Sequence, residues 1–118
     1  MIYIVSAENR ARFHHLLTEM HRQRKQVFID KLNWRLEHSA GLEIDAYDSH
    51  DAVYLIESGT PKGEISASAR LLPTVRPHLL SEQFADLCEE APPAGPHVWE
   101  ATRFCPAPET PAGAPRRQ

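Results

Sequence analysis

Glu100 and Arg103, in the run His97-Val98-Trp99-Glu100-Ala101-Thr102-Arg103-Phe104, pair a carboxylate with a guanidinium on one short apolar stretch. A carboxylate can act as an acid or base, and a guanidinium is a fixed positive charge. Strict strand alternation sets the two on opposite faces. A β-bulge between them would bring them toward one side, and bulges often border active sites. The alternative is a pair of charged residues at a sheet rim in weak surface ion pairs. A second group is Glu43, Asp45 and Asp48 in Glu-x-Asp-x-x-Asp spacing, with Arg70 further on. Three acids this close repel unless cations compensate them. Arg70 is a candidate bidentate partner that would fix the acidic loop against a strand. An acidic loop in solvent, with an unrelated Arg70, is the other reading. The spacing falls short of a calcium loop, so no metal is assigned. A third group is Arg24, Phe28 and Trp34. Arg24 and Phe28 are spaced i, i+4 and share a helix face. Two aromatics and a guanidinium can clasp a planar ring and a carboxylate. Plain core packing for Phe28 and a solvated Arg24 are the alternatives.

These residues need elements to hold them. Residues 2–5 read as a short strand, and Ser6 offers a helix N-cap with Glu8 in the first turn. Phe13, Leu16, Leu17, Met20, Arg24, Val27 and Phe28 then recur at helical spacing. Residues 30–49 have no clean period and read as a long structured loop, a class of segment often tied to function. Residues 52–58 are strand-like, and Gly59-Thr60-Pro61-Lys62-Gly63 is a strong turn signal. From Glu64 to Leu72 the residues alternate. Ile65, Ala67, Ala69 and Leu71 share the expected core face, and Ser66, Ser68 and Arg70 the polar one. Leu80, Phe84 and Leu87 mark a helical stretch, and residues 98–105 a third central strand. The run Pro-Ala-Pro-Glu-Thr-Pro-Ala-Gly-Ala-Pro-Arg-Arg-Gln from Pro106 has no large apolar residue to bury.

Composition narrows the classes. The length suits one domain, and the formal charge of −3 gives no basic excess for nucleic acid or an anionic membrane. Cys88 and Cys105 form no metal-type pair and read as reduced thiols. The seven histidines are scattered and are given no role. There is no Gly-rich phosphate loop and no nucleophile motif. The apolar run at 2–5 is too short for a signal peptide, so a cytoplasmic location is expected.

Five segments in order carry more than their parts: Arg-Lys-Gln-Val-Phe from Arg24, Leu-Asn-Trp from Leu32, Gly-Leu-Glu-Ile-Asp-Ala-Tyr-Asp from Gly41, Ser-Ala-Arg-Leu-Leu-Pro-Thr from Ser68, and Trp-Glu-Ala-Thr-Arg-Phe from Trp99. Together they resemble the acyl-homoserine lactone synthases, the autoinducer synthases of quorum sensing. The resemblance implies an α/β, N-acetyltransferase-like (acyl-CoA acyltransferase) fold, here truncated after the first central strands. It implies an autoinducer synthase-like domain over 1–105 and a disordered low-complexity tail over 106–118. It implies transfer of an acyl group from acyl carrier protein to the amine of S-adenosylmethionine, then lactonisation and release of 5′-methylthioadenosine. No cofactor is expected, since S-adenosylmethionine is a substrate. Nucleic acid and membrane are not expected as partners. By resemblance Glu100 and Arg103 are catalytic, and Arg24, Phe28 and Trp34 bind S-adenosylmethionine. Asp45, Asp48 and Arg70 would form a structural electrostatic cluster. Another acyltransferase of this fold, or a non-catalytic fragment that binds S-adenosylmethionine or a partner chain, are the competing readings.

Overall fold

The computed structural model describes residues 1–108, and the expected tail from 109 onward lies outside them. The chain starts with strand β1 (Ile2–Val5). Ser6 does not cap the helix, as its position suggests. The helical run begins later, with a 3-10 turn at Arg10–Phe13 that leads into helix α1 (His14–Arg24). Asn9 closes the junction instead: its Oδ1 accepts from the Ser6 N–H at 2.9 Å, and its Nδ2 donates to the Ile4 carbonyl at 2.9 Å. The helix then widens into a π-helix over Lys25–Lys31. Such wide turns are rare and gather at functional sites.

The stretch read as a loop holds a small hairpin, β2 (His38–Ser39) and β3 (Leu42–Glu43). Gly41 has φ +78° at its turn, a conformation glycine adopts without a Cβ clash. Strands β4 (Val53–Ser58) and β5 (Ile65–Pro73) follow, then a short helix α2 (Leu79–Gln83), a 3-10 turn at Ala85–Leu87 and strand β6 (Trp99–Pro106). β6 runs one residue past the boundary expected at 105, and the Ala107 N–H bonds the Ser66 carbonyl at 2.9 Å. The main sheet has the order β1-β4-β5-β6, and each neighbouring pair is antiparallel.

The face assignment along β5 is inverted in the structure. Tyr54 lies opposite Arg70 and Ile56 opposite Ser68, and Tyr54, Ile56, Ser68, Arg70 and Leu72 are buried; Ala69, of the expected core face, is buried as well. A bulge between Glu57 and Ser58 changes the register, so that Ile65 faces Ser58 and joins the core side while Ala67 and Leu71 do not. One extra residue exchanges the faces of everything beyond it. The core packs Leu16, Leu17 and Met20 of α1 on Val5, Ala52, Tyr54, Ile56, Ile65 and Leu72. Arg24 continues the Leu16–Met20 stripe at i+4 spacing, so it too points into the protein. A second apolar cluster joins Val27 and Phe28 to Cys105, with Leu36 against it. Burial there pushes the Cys105 thiol up to about 11, which suits a structural thiol better than a reactive one. Among the described residues no helix is long and apolar enough to cross a membrane.

Candidate active site

Burying three arginines under a small sheet demands compensation, because an unpaired buried charge is very costly. Arg24 and Arg70 are 1% and 0% exposed. Their partners come from the hairpin and loop after α1. Arg24 Nε donates to Glu43 Oε1 at 2.9 Å, and its two terminal nitrogens grip Asp48 bidentately at 2.8 Å each. Arg70 grips Asp45 at 2.6 and 3.2 Å and donates through Nε to Thr102 Oγ1 at 3.0 Å. Arg103 closes the set: its Nε donates to Glu43 Oε1 at 2.9 Å and a terminal nitrogen to Asp45 Oδ2 at 3.0 Å. Three carboxylates thus face three guanidiniums, and the formal charges cancel. One oxygen from each carboxylate lies within 4.8 Å of the others, and guanidinium N–H groups engage Glu43 Oε1 and both oxygens of Asp45 and Asp48, while Glu43 Oε2 is buried without a hydrogen-bond partner.

Arg103 reaches this cluster through a bulge. Ser68 pairs with Cys105 and Arg70 with Thr102, so β6 carries one more residue than β5 across that interval. Arg103 takes it up with φ +54°, a backbone state that is uncommon outside glycine. The bulge expected on this strand is therefore present, and it turns Arg103 toward Glu43 and Asp45. It does not bring Glu100 along. Glu100 lies opposite Leu72, and its two oxygens accept the Leu79 and Leu80 N–H groups at 3.0 and 2.8 Å. The carboxylate caps α2, whose own N-cap residue is His78.

Phe28 and Trp34 are together as well. Their rings stack at 4.8 Å between centroids with an interplanar angle of 12°, and the Arg103 guanidinium carbon lies 6.0 Å from the Phe28 centroid. Arg24, assigned to substrate by the resemblance, is buried and engaged by Glu43 and Asp48. The groups open to a ligand are the Trp34 ring, 47% exposed, and the rim pair Arg103 and Asp45, at 11% and 16%.

Three contributors were not singled out from the sequence. Tyr54 donates its hydroxyl to Asp48 Oδ1 at 2.7 Å, Thr102 receives Arg70, and His21 Nδ1 donates to the Glu43 carbonyl at 2.9 Å. The helical stripe signals an inward His21 only weakly, and Tyr54 and Thr102 depend on strand register. The charge cluster sets the local proton affinities. Burial raises the Asp48 carboxyl, but the hydrogen bonds and charge of Arg24, with Arg70, outweigh it and hold Asp48 well below the usual carboxylate range. Burial and the Asp48 charge raise Tyr54, so its hydroxyl stays a donor. Burial, helped by Arg24, lowers His21.

A pH dependence follows from these directions. The unfolded chain protonates His21 near about 6.5 and Asp48 near about 3.9. Native His21 binds its proton only at lower pH, so the unfolded state gains protons first and stability falls as pH drops below the unfolded value. Native Asp48 is depressed, so its contribution is full above the unfolded value and is lost as pH falls toward the native one. Urea midpoints measured from neutral to acidic pH should therefore decline in two stages. His21→Gln, which keeps a donor for the Glu43 carbonyl, should remove the upper stage only. A midpoint flat from neutral pH down to about pH 4 would remove the His21 assignment, and one flat from there to about pH 2 would remove the Asp48 assignment.

An antiparallel sheet with a helix packed on it, and a bulged strand that brings an arginine to a buried charge cluster, makes an α/β protein of the N-acetyltransferase-like class. The chain belongs to the autoinducer synthase family, whose pattern it matches over residues 8–110. It is 44% identical over 86 residues to an acyl-homoserine-lactone synthase of Pseudomonas fluorescens, covering 70% of this chain and 43% of that protein. It is 33% identical over 106 residues to the isovaleryl-homoserine lactone synthase of Bradyrhizobium diazoefficiens, covering 88% and 48%. Among solved structures it resembles BjaI, described as a CoA-dependent acyl-homoserine lactone synthase with SAM and isopentyl-CoA. There the TM-score is 0.84, at 32% identity, covering 90% of this chain and 50% of that one. The AHL synthase LasI gives a TM-score of 0.74 at 29% identity, covering 98% and 57%. The chain spans about half the length of the curated relatives it matches.

Proposed function

We propose that this chain carries the S-adenosylmethionine side of an acyl-homoserine lactone synthase site. The observation that supports it most is the Phe28–Trp34 pair set beside the least buried end of a charge-neutral cluster at Arg103 and Asp45. S-adenosylmethionine needs these chemistries together: an aromatic surface for adenine and for the sulfonium, and groups of both signs for an amino-acid head. In the full reaction the amine of S-adenosylmethionine attacks a thioester carbonyl, an amide forms and the thiol leaves. The carboxylate then attacks the carbon that bears the sulfonium. That bond breaks, the lactone closes and 5′-methylthioadenosine departs. The amine must first lose a proton. Glu100 is the proposed base, because each of its oxygens keeps a lone pair beyond the one given to α2. The acyl donor is a thioester, of acyl carrier protein by the family resemblance; the CoA-dependent relative BjaI makes coenzyme A the second donor to try. Arg24, Asp45, Asp48 and Arg70 hold the loop and strand that present these groups.

Titration calorimetry with S-adenosylmethionine tests the reading. Saturable binding is expected. Phe28→Leu, which removes the stacking surface while keeping an apolar residue, should weaken it by about tenfold or more, since stacking is worth about 1–3 kcal/mol per base. A folded chain that binds neither S-adenosylmethionine nor 5′-methylthioadenosine would overturn it.

A further inference from the structure

The stack of Phe28 on Trp34 leaves no room for a third ring between them. Centroids 4.8 Å apart at 12° are in direct contact. The two partners are held very differently. Phe28 is 5% exposed and packs with Val27 and Cys105, whereas Trp34 is 47% exposed. The backbone behind Trp34 is fixed. Its N–H donates to the Phe28 carbonyl at 2.8 Å, and the Leu32 N–H bonds Val27 at 3.0 Å as the π-helix ends. Asn33, with φ +58°, turns the chain back over Phe28, a conformation asparagine tolerates better than most residues. The indole is therefore the part free to move, by rotation about its side-chain torsions, which is fast for exposed residues.

We infer that Trp34 fills the purine place of its own binding site: its indole lies on Phe28 when no ligand is bound, swings out to admit a planar nucleoside base, and closes on the base's other face. This rests on the proposed reading that the pair binds the adenine of S-adenosylmethionine. The site takes a purine nucleoside with a flat, unobstructed ring. Selectivity then includes a competition, because every ligand must replace a ring contact that already exists. Phe28 is the fixed wall, and Trp34 is the movable one. The turn at Asn33 sets the direction of the swing.

Nuclear Overhauser contacts between assigned aromatic rings of the full chain, with Trp99→Phe used to separate the two indoles, test this directly. Without ligand, a strong Phe28–Trp34 contact is expected. With saturating 5′-methylthioadenosine, adenine protons should contact both rings. The Phe28–Trp34 contact should then fall by about tenfold, because a ring inserted between them moves the centroids to about 7 Å. Adenine contacts to Trp34 alone, or bound nucleoside with the Phe28–Trp34 contact undiminished, would overturn the inference while leaving nucleoside binding in place. No binding of 5′-methylthioadenosine by the folded chain overturns the inference and the proposed function together.

Discussion

Arg70→Ala should lower the unfolding free energy by about 3–5 kcal/mol, the cost of removing one partner from a buried ion pair. Arg70 is fully buried, and its loss would leave Asp45 and Asp48 facing each other with less compensating charge. A partly exposed pair would give a smaller loss, about 1–3 kcal/mol. Domains of this size have about 5–15 kcal/mol in total, so the variant should be close to unfolding at ambient temperature. Arg70→Lys should recover part of the loss. An ammonium can neutralise Asp45, but it cannot reproduce the fork that reaches Asp45 and Thr102 together. Urea unfolding of the three proteins decides it. Equal midpoints would remove the cluster as a structural element.

The second large effect concerns Glu100, which holds a helix in this structure and is the proposed base. Joining residues 1–105 to the C-terminal half of the Pseudomonas fluorescens relative would give a protein whose turnover can be followed. In it, Glu100→Gln should reduce lactone formation by about 10²–10⁴-fold, the usual worth of a positioned acid or base. The amide keeps an acceptor for one of the two α2 N–H groups, so the structural loss should stay near about 1 kcal/mol, as for other helix caps. A rate within severalfold of the parent, with a lowered melting temperature, would make Glu100 a cap and nothing more.

Much of the site could be read from residue types. Glu43, Asp45 and Asp48 needed cations, and Arg70 was the evident one, since crowded acids require compensation in any fold. Arg24 and Phe28 were legible as one helix face, but the environment of that face was not. Arg24 follows the apolar stripe of Leu16 and Met20 inward, so its guanidinium meets Glu43 and Asp48 within the protein. A helical wheel records angle, and burial depends on what the sheet places opposite.

The sequence by itself determined the segments: strand, long helix, acidic loop, hairpin and final strand, with their turn residues and apolar periods. It also contained the family's ordered motifs. Tertiary structure decided which faces meet. The pairing of Ser58 with Ile65, continued without interruption, would set Tyr54 opposite Ala69; the bulge at Glu57 and Ser58 sets it opposite Arg70. The bulge at Arg103 likewise moves one side chain to the acids while Glu100 turns to α2. Alternation in a strand fixes relative faces only while the register is unbroken, and a single inserted residue costs little locally while exchanging both faces beyond it. The positions of those two insertions follow from which residues are buried together. That depends on the packing of α1 and the acidic loop against the sheet, and no local stretch of sequence specifies it.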